Sequence, residues 1–85
     1  MWIWRVPTVL RDGPFRIYFF SHDIVEPPHV HVDRDDLSAK FWLDPVSLAV
    51  NSGFNPRELR RILVLIVQNR AALLEAWHGY PRSQS

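Results

Sequence analysis

The chain contains no cysteine, which excludes a disulfide framework and any thiolate nucleophile, redox couple or thiolate metal ligand. Net charge is nearly absent as well, with 10 Lys plus Arg against 9 Asp plus Glu. That balance excludes a polyanion binder working by bulk charge and leaves room only for a local basic patch. Long hydrophobic runs are missing. The longest, Ile62 to Val67, is about a third of the ~20 residues a membrane-spanning helix needs. Met1-Trp2-Ile3-Trp4-Arg5 has neither the basic segment nor the apolar stretch of a secretory signal. The expectation is a cytoplasmic protein with no membrane association. No segment repeats and none is of low complexity.

What remains is 85 residues, 47% hydrophobic, with four Trp, two Tyr and five Phe. This length allows one domain over residues 1–85: an extension at 1–6, a sheet within 7–50, a helix over 55–78 and a tail at 79–85. A domain of this size hides only about 60 to 65% of the surface its unfolded chain exposes, so a second copy or a partner chain is expected to add stability.

Val6 to Leu10, closed by Asp12-Gly13-Pro14, predicts a strand and a turn. Phe15, Ile17 and Phe19 alternate with Arg16, Tyr18 and Phe20, the period of two of a strand. A loop holding His22, Asp23, Glu26, Pro27 and Pro28 follows, because proline cannot donate to a ladder. His29-Val30-His31-Val32-Asp33 and Ser38 to Leu43 alternate again across the charged turn Arg34-Asp35-Asp36, a hairpin. Val46 to Val50 is a short edge strand or an extended return.

Asn55-Pro56-Arg57-Glu58 is a helix start: Asn to accept an orphan N–H, Pro at the first helical position, and Glu at the third to complete a capping box. The helical pattern runs to His78 and stops at Gly79 and Pro81. Leu59, Ile62, Leu63, Ile66, Leu73, Leu74 and Trp77 form its core stripe, with Val64, Leu65 and Val67 outside it. A second apolar face implies a second surface to cover it. The fold class is therefore α+β: a small antiparallel sheet of three to five strands, covered on one face by one long C-terminal helix.

If Phe15, Ile17, Phe19, Val30, Val32, Ala39, Phe41 and Leu43 face the helix, the pleat sends Arg16, Tyr18, Phe20, His29, His31, Asp33, Lys40 and Trp42 to the other side. Aromatic rings interleaved with cations suit stacking on bases and contact with phosphates, so Arg16, Tyr18, Lys40, Trp42 and Asp33 are candidate RNA- or partner-binding residues. Two imidazoles beside a phosphodiester would serve as general acid and base without metal, which makes His29 and His31 candidate catalytic residues of a small ribonuclease. The plain alternative is a sheet face lying under a partner or lining a wet surface. No cofactor is required by these readings. An alternative has one divalent metal ion held by His29 and His31, two apart on a strand, with His22 or Asp33 as third ligand. His78 complements the helix dipole. Arg57, Arg60 and Arg61 make a basic first turn against the usual preference, either solvated surface or a patch for phosphate or an acidic partner. Trp2 and Trp4 extend an edge strand or plug an interface.

Pro7-Thr8-Val9-Leu10, Gly13-Pro14-Phe15-Arg16, Glu26-Pro27-Pro28-His29-Val30-His31-Val32, Ala39-Lys40-Phe41-Trp42-Leu43-Asp44-Pro45 and Glu58-Leu59-Arg60-Arg61 together resemble the small bacterial proteins of domain-of-unknown-function family 4160. The likeness covers about Pro7 to His78, and Pro-Pro-His-x-His is its most specific part. The resemblance implies a component of a toxin–antitoxin-like two-gene module whose cognate partner is a protein encoded by a neighbouring gene. It carries over no catalytic residues. The expected partners are thus that cognate protein, RNA, and a second copy in a homodimer through the helix and the N-terminal extension.

Overall fold

The computed structural model describes residues 8–20 and 25–79. Five strands form one antiparallel meander: β1 (Thr8–Asp12), β2 (Phe15–Tyr18), β3 (His29–Arg34), β4 (Leu37–Leu43) and β5 (Val46–Ser52), ordered in space as in sequence. Three of the connections are two-residue turns. Gly13, at φ +57, opens the first, and Asp35, at φ 57, opens the second. The left-handed region suits glycine and is tolerated by Asp. Val6 and Pro7, expected at the start of β1, lie outside the described residues, as do Trp2, Trp4 and His22.

The pleat sorts the side chains as the alternation requires. Ile17 stands opposite Val32, Val32 opposite Ala39, and Val30 opposite Phe41. With Phe15 and Leu43 they form a dry face that the helices cover. Gly53 links β5 to the helices at φ +104, and Asn51 clamps the next residue by donating to the Phe54 carbonyl at 2.9 Å and accepting its N–H at 3.1 Å. Phe54 is thereby driven into the core.

Helix α1 (Pro56–Gln68) begins as the sequence predicts, with Asn55 Oδ1 accepting the Glu58 N–H at 2.9 Å and Pro56 in the first turn. The second half of the expected capping box is not formed. The Glu58 carboxylate pairs with Arg34 on β3 instead, since a charge-assisted contact to guanidinium outcompetes one to a neutral N–H. The buried ridge is Ile62, Leu65 and Ile66. Leu65, expected outside the stripe, is therefore core, while Leu63, expected inside it, is among the exposed large hydrophobics with Val64 and Val67. The stripe is rotated toward Leu65 because α1 crosses a twisted sheet, which selects among several apolar neighbours that the helical period alone leaves equivalent.

The single long helix is in fact two. At Asn69 the backbone leaves helical geometry (φ −110, ψ 13), its N–H is shared among the carbonyls of the last turn, and its Nδ2 donates to Leu65 O at 2.8 Å. An Asn side chain that satisfies the backbone in place of the next regular bond is a helix stop. Helix α2 (Arg70–Gly79) follows, anchored by Arg70, whose Nε donates to Leu43 O at 2.8 Å and whose guanidinium meets Asp44 Oδ1 at 2.9 Å. Leu73 and Trp77, both expected in the core stripe, are its buried residues. Among the described residues no helix is long and apolar enough to cross a membrane.

Candidate functional site

Two surfaces are set by this architecture: the sheet face turned away from α1, and the edge where β5 meets α1. Register builds the first in rows. Arg16 stands opposite Asp33; Tyr18 opposite His31, which stands opposite Lys40; and His29 opposite Trp42. Residues paired directly across an antiparallel sheet share a face, so the predicted far-face residues within the strands are together. Phe20, just past β2, joins them through Tyr18 at 5.5 Å and His31 at 5.1 Å between ring centroids.

The rings pack on one another. Tyr18 stacks on His31 at 5.4 Å, its hydroxyl donates to the Asp33 carboxylate at 3.1 Å, and the Arg16 guanidinium lies 4.5 Å over its ring. At the other end Lys40 Nζ sits 4.6 Å over Trp42 and 2.8 Å from Glu26 Oε1. Lys40 is thus already neutralised by a carboxylate that the sequence analysis left unassigned in the loop.

His29 and His31 share the face, 5.2 Å apart, but their environments differ. His31 is half-buried, whereas His29 is 0% exposed. Trp77 from α2 lies 5.0 Å from the His29 ring and Trp42 lies 5.7 Å from it, with Phe19 packing edge-on against Trp77 at 5.1 Å. Trp77 thus packs directly against the buried imidazole. His29 Nδ1 is 2.9 Å from Pro27 O, and since a carbonyl only accepts, this contact requires the proton on Nδ1. Glu26 Oε1 stands 3.7 Å from the same nitrogen.

The expectation that both imidazoles stand open to a substrate therefore needs correction: parity puts both on the far side, but the Trp77 side chain seals one of them. A general acid or base has to come within hydrogen-bond reach of the proton it moves, and a fully buried ring with one nitrogen held by Pro27 O does not reach a polymer in solvent. Within Pro-Pro-His-x-His, Pro27 O faces His29 Nδ1, Pro28 O accepts the Leu43 N–H at 3.0 Å, and the buried His29 ring packs against Trp77 of α2. The metal alternative takes His29 and His31 with His22 or Asp33 as third ligand. His22 is outside the described residues, and among those described no group of three or more His, Cys, Asp or Glu is placed to hold an ion.

The family model of a domain of unknown function, DUF4160, matches residues 15–78. The chain belongs to this family. The DUF4160 match starts at β2 and ends at His78 in α2, so it takes in the histidine strand, both helices and β5, and leaves β1 outside. No curated protein and no solved structure shows significant similarity to the chain.

The second surface was only partly visible in the sequence, as the outer helix face. Among the described residues β5 is an edge strand, paired with β4 on one side only. A bulge between Lys40 and Phe41 pairs Leu48 with Phe41 but Val50 with Lys40. Leu48 accordingly points to the helix side and Val50 to the far side, and they are 44% and 57% exposed. Between β5 and α1 lies a groove lined by Phe41, Val46, Leu48, Leu59, Leu63 and Arg60. Val64 and Val67 continue the apolar surface over the top of α1, 54% and 55% exposed. The signal that locates this site is the uncharged strand sequence Val46-Ser47-Leu48-Ala49-Val50-Asn51-Ser52 beside a helix with too many apolar positions.

Proposed function

We infer that this DUF4160 chain is a cytoplasmic component of a bacterial toxin–antitoxin-like two-gene module and acts by binding a protein partner through the surface that β5 and α1 share. One observation carries the reading. Leu48 on the edge strand and Leu63 on the helix beside it line one apolar groove and are both exposed, with Val67 also exposed on that helix, an apolar patch that small soluble domains cover with another protein. The toxin–antitoxin element of the reading rests on family membership, and the partner is the product of the gene encoded alongside. A homodimer through the outer face of the helix and residues 1–6 belongs to the same reading, since a core this small gains from a second one.

The test is co-expression with the neighbouring gene product, followed by growth assays of each protein alone. A stable complex, with growth altered by one component and restored by the other, is the expected result. Failure to form a complex, with no effect of either on growth, removes the reading.

Contact with single-stranded RNA is a second reading, favoured by the partly exposed Arg16, Lys40 and Trp42 on one sheet face, where Lys40 lies over the Trp42 ring, while Tyr18 is buried beneath Arg16. A cation beside an aromatic ring is a platform for a base and its phosphate. Steep weakening of oligonucleotide binding with salt, lost in Lys40→Ala with Trp42→Ala, is the expected signature. Salt-insensitive or undetectable binding rejects it.

A further inference from the structure

We propose that the partner docks by strand addition: an extended, acidic segment of the partner protein pairs with β5 as a sixth strand, seats an apolar side chain in the groove against α1, and sets a carboxylate on Arg60. This rests on the partner-binding reading above and specifies its chemistry.

Three observations converge. Strands at the edge of a sheet are normally protected by charge, proline or a covering element. β5 has neither charge nor proline in its seven residues, and no hydrogen bond to its outer edge is formed among the described residues. Its bulge blunts the edge only at Ala49 and, by turning Val50 to the face opposite Leu48, places one exposed apolar side chain on each side of an incoming strand. Pairing along Val46–Ser52 would span roughly 23 Å, at about 3.3 Å per residue.

The groove beside the edge has a volume of about 190 Å³. That exceeds the ~150 Å³ known to hold a benzene ring in a protein interior, so one large aliphatic or aromatic side chain fits between Leu48, Leu59 and Leu63.

Charge then selects the partner. Arg60 lines the groove and Arg57 lies three residues earlier on the same helix. Both are exposed and neither makes an ion pair among the described residues, whereas Arg34 pairs with Glu58 and Arg70 with Asp44. Like charges at this spacing repel, and they stand at the helix N-terminus, where the dipole already disfavours cations. A carboxylate arriving at Arg60 relieves both. A second copy of the chain brings no carboxylate to the groove, because none lines it, and would oppose arginine to arginine. An acidic segment of a different protein is therefore the occupant that the charges favour.

The experiment uses the full chain in two arms. In the first, an extended peptide alternating valine with glutamate is titrated against ¹⁵N-labelled protein, with the same peptide carrying lysine for glutamate as control. The expected result is amide shifts and slowed hydrogen exchange along Val46–Ser52 with the acidic peptide only. Arg60→Glu is expected to weaken it by about tenfold or more, the loss of a charge-assisted hydrogen bond, and to favour the lysine peptide. Arg60→Glu preserves the fold because an acid suits a helix start. Val50→Glu, set opposite Lys40, keeps the sheet while repelling an acidic strand and should also abolish binding. In the second arm the same variants are co-expressed with the neighbouring gene product. Loss of that complex in both variants supports the proposal. A complex that survives both overturns strand addition while leaving partner binding intact, whereas absence of any wild-type complex removes the underlying reading and the proposal with it. Equal binding of both peptides, shifts confined to the Lys40–Trp42 face, self-association through β5, or an RNA oligonucleotide protecting β5 in place of the peptide would each overturn it.

Discussion

His29→Ala should cost the domain a large part of its stability without touching any exposed chemistry. The imidazole is 0% exposed and sits between Trp42, Trp77 and His31 at 5.0 to 5.7 Å. Truncating a buried aromatic to alanine costs about 3–5 kcal/mol when the site cannot collapse. An imidazole is smaller and more polar than a phenyl ring, which lowers the packing part to about 2 kcal/mol, on the scale of a smaller core truncation. Loss of the Nδ1 hydrogen bond to Pro27 O adds about 1 kcal/mol. The sum, about 3 kcal/mol, is a serious fraction of the roughly 4–13 kcal/mol expected for a chain of this length. His31→Ala removes a half-buried ring and should cost under about 1.5 kcal/mol. Urea unfolding followed by tryptophan fluorescence measures both, since Trp42 and Trp77 flank the site. The reasoning fails if His29→Ala loses less than about 1 kcal/mol, or if it folds normally and loses growth inhibition or RNA cleavage that the wild type possesses. The second outcome would restore His29 to a catalytic role and make α2 a movable cover over it.

Other perturbations probe separate parts of the structure. Asn55→Ala removes the acceptor of the Glu58 N–H and should cost about 1 kcal/mol in thermal or urea unfolding. Gly53→Ala places a side chain at φ +104 with its Cβ 2.5 Å from Leu37 Cδ2; the leucine tip can swing away, so the backbone strain of about 1–3 kcal/mol should set the loss. Arg70→Met breaks the anchor to Leu43 O and Asp44 and should speed hydrogen exchange in α2 more than in α1; uniform change in both helices would contradict separate anchoring. Leu63→Glu with Val67→Glu, both exposed, should shift the unfolding midpoint little yet abolish the complex with the partner protein, as pull-down at matched concentrations would show.

Local chemistry was sufficient for much of the fold. The alternation of Phe15 to Tyr18, of His29 to Asp33 and of Ser38 to Leu43 is visible because one face of each strand is dry and the pleat has a period of two. Asn55-Pro56 marks its helix start because caps act over three residues. The shared face of His29, His31, Lys40 and Trp42 follows from the same period, and family membership was legible in the Pro-Pro-His-x-His segment.

Burial, partner choice and direction belonged to the tertiary structure. Whether His29 is open or buried depends on Trp42 and Trp77, distant in sequence, whose rings pack against it. Glu58 chooses Arg34 over its own helix terminus only when β3 lies beneath α1. Leu63 and Leu65 exchange inside and outside because sheet twist, absent from any helical wheel, decides which ridge meets the core. The edge at β5 arises because, among the described residues, the meander ends there. The sequence by itself determined periods, caps and turns, which are set by neighbours a few residues apart. Accessibility and pairing were decided by the packed chain, because each depends on atoms that only folding brings within contact.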